Sequence, residues 1–382
     1  MPRNRVIYQS DIVFVGNTGA TGTGVDTGNG TISQLQRVQS ANYSFDIART
    51  DINQFGQLAA VDRIILEQPT VSLDLNYLVL TGDNETNIGL TIGGNSAISH
   101  ILSGDDLSVA NRRFIKNYYI ATAVEGSDAA NASTNLTGAN ASIIGIGNCF
   151  LSSYTVNGSV GDFVSADVSV EGLNMTFEAT SGQASVENPL VDPTNGDPVN
   201  HDISMAELNG SQSYTTGNSL TPAALRPGNV TVDAGAGVVG FETGATNLKY
   251  QNFSIGFDLS RENLEKLGSR FAFSKEIEFP AEATMDFSAL VGDVNSNASG
   301  AGSANNALDH IVNESDASHT VSINVSGNDS ERGLTYTLLG GKLSSQSISS
   351  SIGDNKSVDL SYVSQIGGPE DTTNGIKITG LA

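Results

Sequence analysis

The chain has 382 residues, of which 15% are charged, with 41 acidic against 18 basic side chains and a formal net charge of −23. That length holds about two domains of roughly 100–200 residues each, with ample core for both. The acid excess excludes an electrostatic grip on nucleic acid or an anionic membrane, the single cysteine Cys149 excludes an intrachain disulfide, and no window approaches the 18 consecutive apolar residues of a spanning helix.

From the N-terminus, MPRNRVIYQSDIVFVG places two arginines before an apolar run too short for a secretory signal, which predicts a soluble protein made in a cytoplasm. GNTGATGTGVDTGNGT at 16–31 lacks the Gly-Lys-Ser/Thr of a phosphate-binding loop and misses the G-x-G-x-x-G spacing, so residues 1–33 read as a Gly-rich arm. A first domain follows over 34–180. RTDINQFGQLA at 49–59 reads as a short helix, TVSLDLNYLVL at 70–80 as a period-two strand, and DDLSVANRRFI at 105–115 as a second helix candidate. IIGIGNCFL around Cys149 predicts a buried, structural thiol, and FVSADVSVEGLNMTFEA at 163–179 is strand-like.

The stretch 181–245 holds five of the nine prolines and VDAGAGVVG, and reads as a linker or long excursion. DPTNGD at 192–197 lacks the Asp/Asn ladder and closing Glu of a calcium loop and reads as a turn. A second domain occupies 246–382. There Ser260 is placed to cap a helix over RENLEKLGSR, with Glu262 in its first turn and Gly268 at its stop, while HTVSINVSG at 319–327 and LTYTLLG at 334–340 read as strands.

Two pairs of segments answer each other. LSSYTVNGSVGDFVSADVSV at 151–170 aligns without a gap to LSSQSISSSIGDNKSVDLSY at 343–362, 192 positions on, with nine of twenty residues identical. NYSFDIARTDINQFG at 42–56 aligns to SIGFDLSRENLEKLG at 254–268, 212 positions on, matching Phe45, Asp46, Arg49 and Gly56 to Phe257, Asp258, Arg261 and Gly268. The register continues to Arg63/Lys275 and Asp74/Asp286. Two blocks in one order predict an internal duplication. Each repeat is expected to be mainly β, a barrel or sandwich with one short flanking α-helix.

No catalytic constellation emerges. His100, His201, His310 and His319 show no paired ligand spacing, and neither a cofactor nor a metal site is predicted. Tryptophan is absent and no aromatic-basic stripe suggests nucleic-acid readout or a sugar platform.

The stretches NCFLSSYTVNGSVGDFVSADVSVEGLNMTFE at 148–178 and LGGKLSSQSISSSIGDNKSVDLSYVSQIGGPED at 339–371 resemble the tail tube (major tail) proteins of long-tailed bacteriophages, as does SFDIARTDINQFGQLAAVDRIILEQPTVSLDL at 44–75. Together they span 96 residues, about a quarter of the chain. The resemblance implies small β-barrel or sandwich tube domains that form six-fold rings, stacked into a hollow tube around a tape-measure protein. Some members carry two such domains and close as trimers with pseudo-six-fold symmetry. On this reading the chain is a non-enzymatic virion structural protein, assembled in the host cytoplasm. Its partners are itself, the tape-measure protein, a tail terminator and baseplate proteins, and DNA passes through without specific binding. A capsid decoration or baseplate component is the alternative. A lumen lined with carboxylates repels phosphate, and Asp74, Asp167, Asp286 and Asp359, at matched strand positions of the two repeats, are the candidates to face it.

Overall fold

The structure is a computed structural model that describes residues 11–18, 32–65, 68–79, 81–103, 112–123, 129, 141–179, 185–186, 189–190, 203–204, 230–233, 248–268, 272, 274–291, 318–326, 333–351 and 355–380. In chain order the first half gives β1 (Asp11–Thr18), β2 (Ser33–Gln34), β3 (Val38–Asp46), β4 (Thr50–Ile52), β5 (Asp62–Ile64) and β6 (Thr70–Leu78). Two short helices follow, α1 (Asp83–Asn87) and α2 (Ser99–Ser103), then β7 (Arg112–Ala123), β8 (Ala141–Ser159), β9 (Ser165–Gly172) and β10 (Asn174–Ala179). The middle stretch contributes β11 (Ser185–Val186), β12 (Ile203–Ser204) and β13 (Val230–Asp233). The second half gives β14 (Leu248–Asp258), β15 (Arg261–Leu264), β16 (Ser274–Ile277), β17 (Glu282–Val291), β18 (His319–Ser326), β19 (Gly333–Ser349), β20 (Ser357–Gln365) and β21 (Gly375–Gly380). The protein is mainly β, as its strand-dominated patterning predicts.

The strands follow from period-two alternation, which puts successive side chains on opposite faces. In β6, Val71, Leu73, Leu75 and Tyr77 are buried while Thr70 and Asp74 are exposed. β9 and β20 alternate in the same way, with Ala166, Val168 and Val170 inside, and Val358, Leu360 and Tyr362 inside. The buried faces merge into one apolar core that takes residues from both halves, Leu73, Tyr154 and Val168 alongside Phe257, Met285 and Tyr336.

The antiparallel pairing scheme occurs twice. In the first half β1 pairs β7, β7 pairs β8, β8 pairs both β10 and β9, β9 pairs β6, and β6 pairs β3. In the second half β13 pairs β18, β18 pairs β19, β19 pairs both β21 and β20, β20 pairs β17, and β17 pairs β14. The irregularities recur as well. The register slips between Leu151 and Ser153 in β8 and between Leu343 and Ser345 in β19, each 192 positions apart. It slips between Val38 and Ser40 in β3 and between Tyr250 and Asn252 in β14, each 212 apart. Both long strands turn through a left-handed residue at one equivalent place, Asn148 at φ 52° and Gly340 at φ 64°.

The helices expected at 49–59 and from Ser260 are not formed. These segments are β-hairpins, β4 with β5 and β15 with β16, in equivalent registers: Asp51 faces Arg63, and Asn263 faces Lys275. Backbone pairing overrides the helical pattern, since Val61 N–H donates to the Ile52 carbonyl and Glu278 N–H to that of Ser260, the residue expected to cap a helix. At 105–115, residues 112–115 lie in β7 and the rest are outside the described residues. Among the described residues the helices are α1 and α2, both in the first half after β6, and the helix expected in the second repeat is not found. Within the segments read as an arm and a linker, β1 and β13 enter the sheet; the glycine-rich run beyond Thr18 lies outside the described residues.

Candidate functional site

The two halves meet along an antiparallel strand joint. Residues 252–258 of β14 add to the edge of β8, from Asn252 opposite Ser159 to Asp258 opposite Ser153. Ile255 faces Val156 and Phe257 faces Tyr154, and all four are at most 2% exposed. The Tyr154 and Phe257 rings lie 6.0 Å apart. Gly158 leaves room for the Phe253 ring, and Gly256 lets the β8 backbone approach, since a Cβ there would meet the Tyr154 carbonyl at 2.5 Å.

The hairpin β15–β16 clamps this joint. Arg261 places its guanidinium 5.3 Å from the Phe150 ring centroid and donates from Nε to the Leu151 carbonyl at 3.3 Å. Lys275, buried, donates to Glu171 Oε2 at 2.9 Å. From the other side, residues 92–97 lie along β21, where Gly93 N–H bonds the Ile378 carbonyl and Ala97 N–H that of Ile376, both at 2.8 Å.

Two edges are left over. Among the described residues, β3 pairs with β6 alone, and residues 343–349 of β19 pair with β20 alone. By the offsets of 212 and 192, these edges are the counterparts of β14 and of the last turns of β8. Tyr43, Phe45 and Ile47 are 44%, 38% and 39% exposed, whereas their counterparts Ile255, Phe257 and Leu259 are 0%, 2% and 2% exposed. Ile348 is 38% exposed and its counterpart Val156 is 0%. Phe55 and Leu58, at the tip between β4 and β5, stand fully in solvent, as does Leu267 between β15 and β16.

The four aspartates singled out from the sequence are all exposed on one face of the sheet that runs β3-β6-β9-β8-β14-β17-β20-β19. Asp74 accepts a hydrogen bond from Ser169 at 2.6 Å, and Asp167 accepts from Asn76 at 2.6 Å and Asn157 at 2.9 Å. Asp286 faces Ser254 and Ser361 across the strands, and Asp359 accepts from Ser347 at 3.0 Å. Asp258 and Glu282, directly opposite one another, extend this face. The runs that form it, 40–46, 70–76, 165–171, 153–159, 252–258, 282–288, 357–363 and 345–349, contain no lysine or arginine.

Sequence reasoning missed a buried polar cluster. Glu85 of α1, 1% exposed, accepts hydrogen bonds at Oε1 from the hydroxyls of Tyr77 and Tyr154, both at 3.1 Å, and the Tyr154 hydroxyl meets that of Tyr336 at 3.1 Å. The cluster ties β6, β8 and α1 to β19 of the other half. Burial raises the Glu85 carboxyl above its ordinary range and raises all three tyrosines further. The only signal available in the sequence was a lone Glu in DNETN, with no spacing to its partners. Cys149 is buried and its Sγ sits 3.5 Å from the Ile146 carbonyl, in keeping with a structural thiol whose pKa burial pushes up. Among the described residues no three His, Cys, Asp or Glu side chains gather as a metal set, and no helix is long and apolar enough to cross a membrane.

No family model matches the chain, and no curated protein matches its sequence. Solved structures with a similar chain include the virion of a native gene transfer agent particle, at 12% identity over 42% of this chain and 100% of that one, with a TM-score of 0.25. A second is the tail of an empty gene transfer agent particle with C6 symmetry, at 11% identity over 38% and 96%, TM-score 0.24. A third is the six-fold symmetrised baseplate of the anti-feeding prophage, at 11% identity over 47% and 98%, TM-score 0.28.

Proposed function

We propose that the chain is a structural protein of a phage-type tail, a duplicated tube protein whose two modules, about 34–180 and 246–382, fill neighbouring positions of a ring. Three copies then make a trimer with pseudo-six-fold symmetry, rings stack into a tube, and the acidic sheet face lines a lumen through which DNA passes. One observation carries the reading: the internal joint is heterologous, β14 on β8, and among the described residues the same scheme ends with one unused edge of each kind. Heterologous contacts between repeated units propagate into rings or filaments, which an isologous contact cannot do. The resemblance of 44–75, 148–178 and 339–371 to tail tube proteins supports the same assignment. The lysine-free face of Asp74, Asp167, Asp286 and Asp359 supports a path for a polyanion that must slide without adhering. No part of this role calls for catalysis.

Negative-stain electron microscopy and light scattering on the purified chain test it. Rings of three chains with a central hole, or stacks of such rings, are the expected result. Compact trimers or monomers without axial stacking would instead favour a decoration protein and overturn the tube assignment.

A further inference from the structure

We propose that β3 of one copy adds to the free edge of β19 in a second copy, antiparallel and in the register of the internal joint, so that Tyr43 stands opposite Ile348 and Asp46 opposite Ser345. The inference rests on the ring-forming reading above and specifies its contact surface.

The register follows by transfer. Inside the chain Ile255 faces Val156 and Asp258 faces Ser153. Moving the first of each pair back by 212 and the second forward by 192 gives Tyr43 with Ile348 and Asp46 with Ser345, and places Ser40 opposite Ser351. Both edges are built to be covered. Tyr43, Phe45 and Ile348 are more than a third exposed, where the same positions of the internal joint are closed to solvent. Neither edge carries proline or lysine, two of the devices that keep a strand from pairing, within 38–46 or 343–349, and the register slip that each edge does carry has its counterpart in a strand of the internal joint, where pairing forms all the same. The joint fits a second copy of this chain because the complementary partner of each edge is present on the opposite end of the same molecule.

Among the positions at which the copy joint differs from the internal one, two contacts bear on how closely the strands fit. Phe253 over Gly158 becomes Ala41 opposite Ser350, which removes bulk from one side and adds little to the other. Gly256 becomes Ser44, so the strands must part slightly to admit a Cβ where the internal joint has none. The side-chain amide of Gln346, counterpart of Tyr154, is buried with no hydrogen-bond partner for either Nε2 or Oε1 in the single chain. In the proposed register it lies opposite Phe45 and next to the incoming β3 backbone, where such partners exist.

Disulfide trapping tests the register. Tyr43→Cys and Ile348→Cys are made in separate chains that differ in mass by a tag, co-assembled and oxidised. Facing residues of an antiparallel pair have Cα atoms about 4.5–5.5 Å apart, within disulfide reach. The expected product is a mixed dimer of the two tagged chains, absent when either variant is oxidised alone. Ser40→Cys with Ile348→Cys is the slipped control. Those residues sit three positions out of register, about 10 Å at roughly 3.3 Å per residue, and should cross-link at least tenfold less. The unsubstituted chain sets the background from Cys149, which is buried. Rings by microscopy without the Tyr43–Ile348 disulfide, or with equal trapping of the slipped pair, would overturn the inference and leave the ring reading standing. Absence of both rings and cross-link would overturn the two together. Cross-linked open filaments would support this joint while removing ring closure.

Discussion

Glu85 shows how a single buried acid can tie two halves together and make their stability depend on pH. Its carboxyl accepts from Tyr77 and Tyr154, and Tyr154 in turn contacts Tyr336, so one acid holds β6 and β8 directly and β19 through Tyr154. Burial disfavours the charged form more than the hydroxyl bonds favour it, so the folded-state pKa lies above the ordinary 4.5. An acid with a raised folded pKa contributes its full stability below the unfolded value, and that contribution is lost as pH rises through the folded one. Glu85→Gln keeps an acceptor oxygen and cannot ionise. The chemical stability of wild type relative to Glu85→Gln should therefore fall between about pH 4.5 and the raised value, and be flat above it; parallel denaturation curves across that range would contradict the assignment. Glu85→Ala strands the Tyr77 hydroxyl in the core and should cost about 1–3 kcal/mol below pH 4.5, a cost that shrinks as pH rises through the raised value. None of this was legible from the sequence, because a hydrogen bond across 69 positions leaves no periodic trace.

At the scale of elements, the long strands β8 and β19 do the organising, and each changes partners at its left-handed residue. Asn148 and Gly340 are the two residue types that enter that region most readily, and in the first half the conformation is held by Asn148 N–H donating to the Asn117 side chain at 2.9 Å. Gly340→Ala adds a Cβ that meets the Thr373 carbonyl at 2.6 Å and the Asn374 side chain at 2.5 Å, on top of a left-handed cost of about 1–2 kcal/mol. We expect Gly340→Ala to destabilise by more than about 2 kcal/mol in urea unfolding. The strands themselves were legible: period-two runs at 70–80, 163–179 and 319–327 became β6, β9 with β10, and β18. So was the matched order of two blocks, which reappears as matched pairings and matched slips of register. The hairpins were misread because RENLEKLG carries good helix formers, and its fate is decided by Phe150 and Leu151, more than a hundred positions upstream of Arg261, and by Glu171, which holds Lys275 on the paired strand. The exposed alternation that marked the four aspartates was legible; the joint between halves was not, since pairing partners of a strand edge are a property of topology.

For the molecule as a whole, the distribution of charge matters more than its sum. At physiological salt the screening length is about 8 Å, so a polyanion moving along the sheet face, as proposed, would respond to the side chains it passes and little to the net −23 of the chain. On that face Asp167 and Asp359 occupy equivalent positions of β9 and β20, and among the described residues their side-chain bonds are to exposed or half-exposed Asn and Ser neighbours. Replacing both with lysine changes the chain by four charges, from −23 to −19, while leaving the core untouched. In a trimer the same change places six ammonium groups around the proposed channel. Assembly should survive, because neither residue contributes to the buried face. DNA should now adhere: ring-bound DNA detectable at 50 mM salt and largely released by 200 mM, as counterion release requires when several phosphate contacts form at once. In reconstituted particles ejection should slow in the same salt-dependent way. Intact rings that neither retain DNA nor slow its passage would place the acidic face away from the channel, because a lumen-facing ring of new cations cannot be invisible to a polyanion sliding within a few ångströms of it.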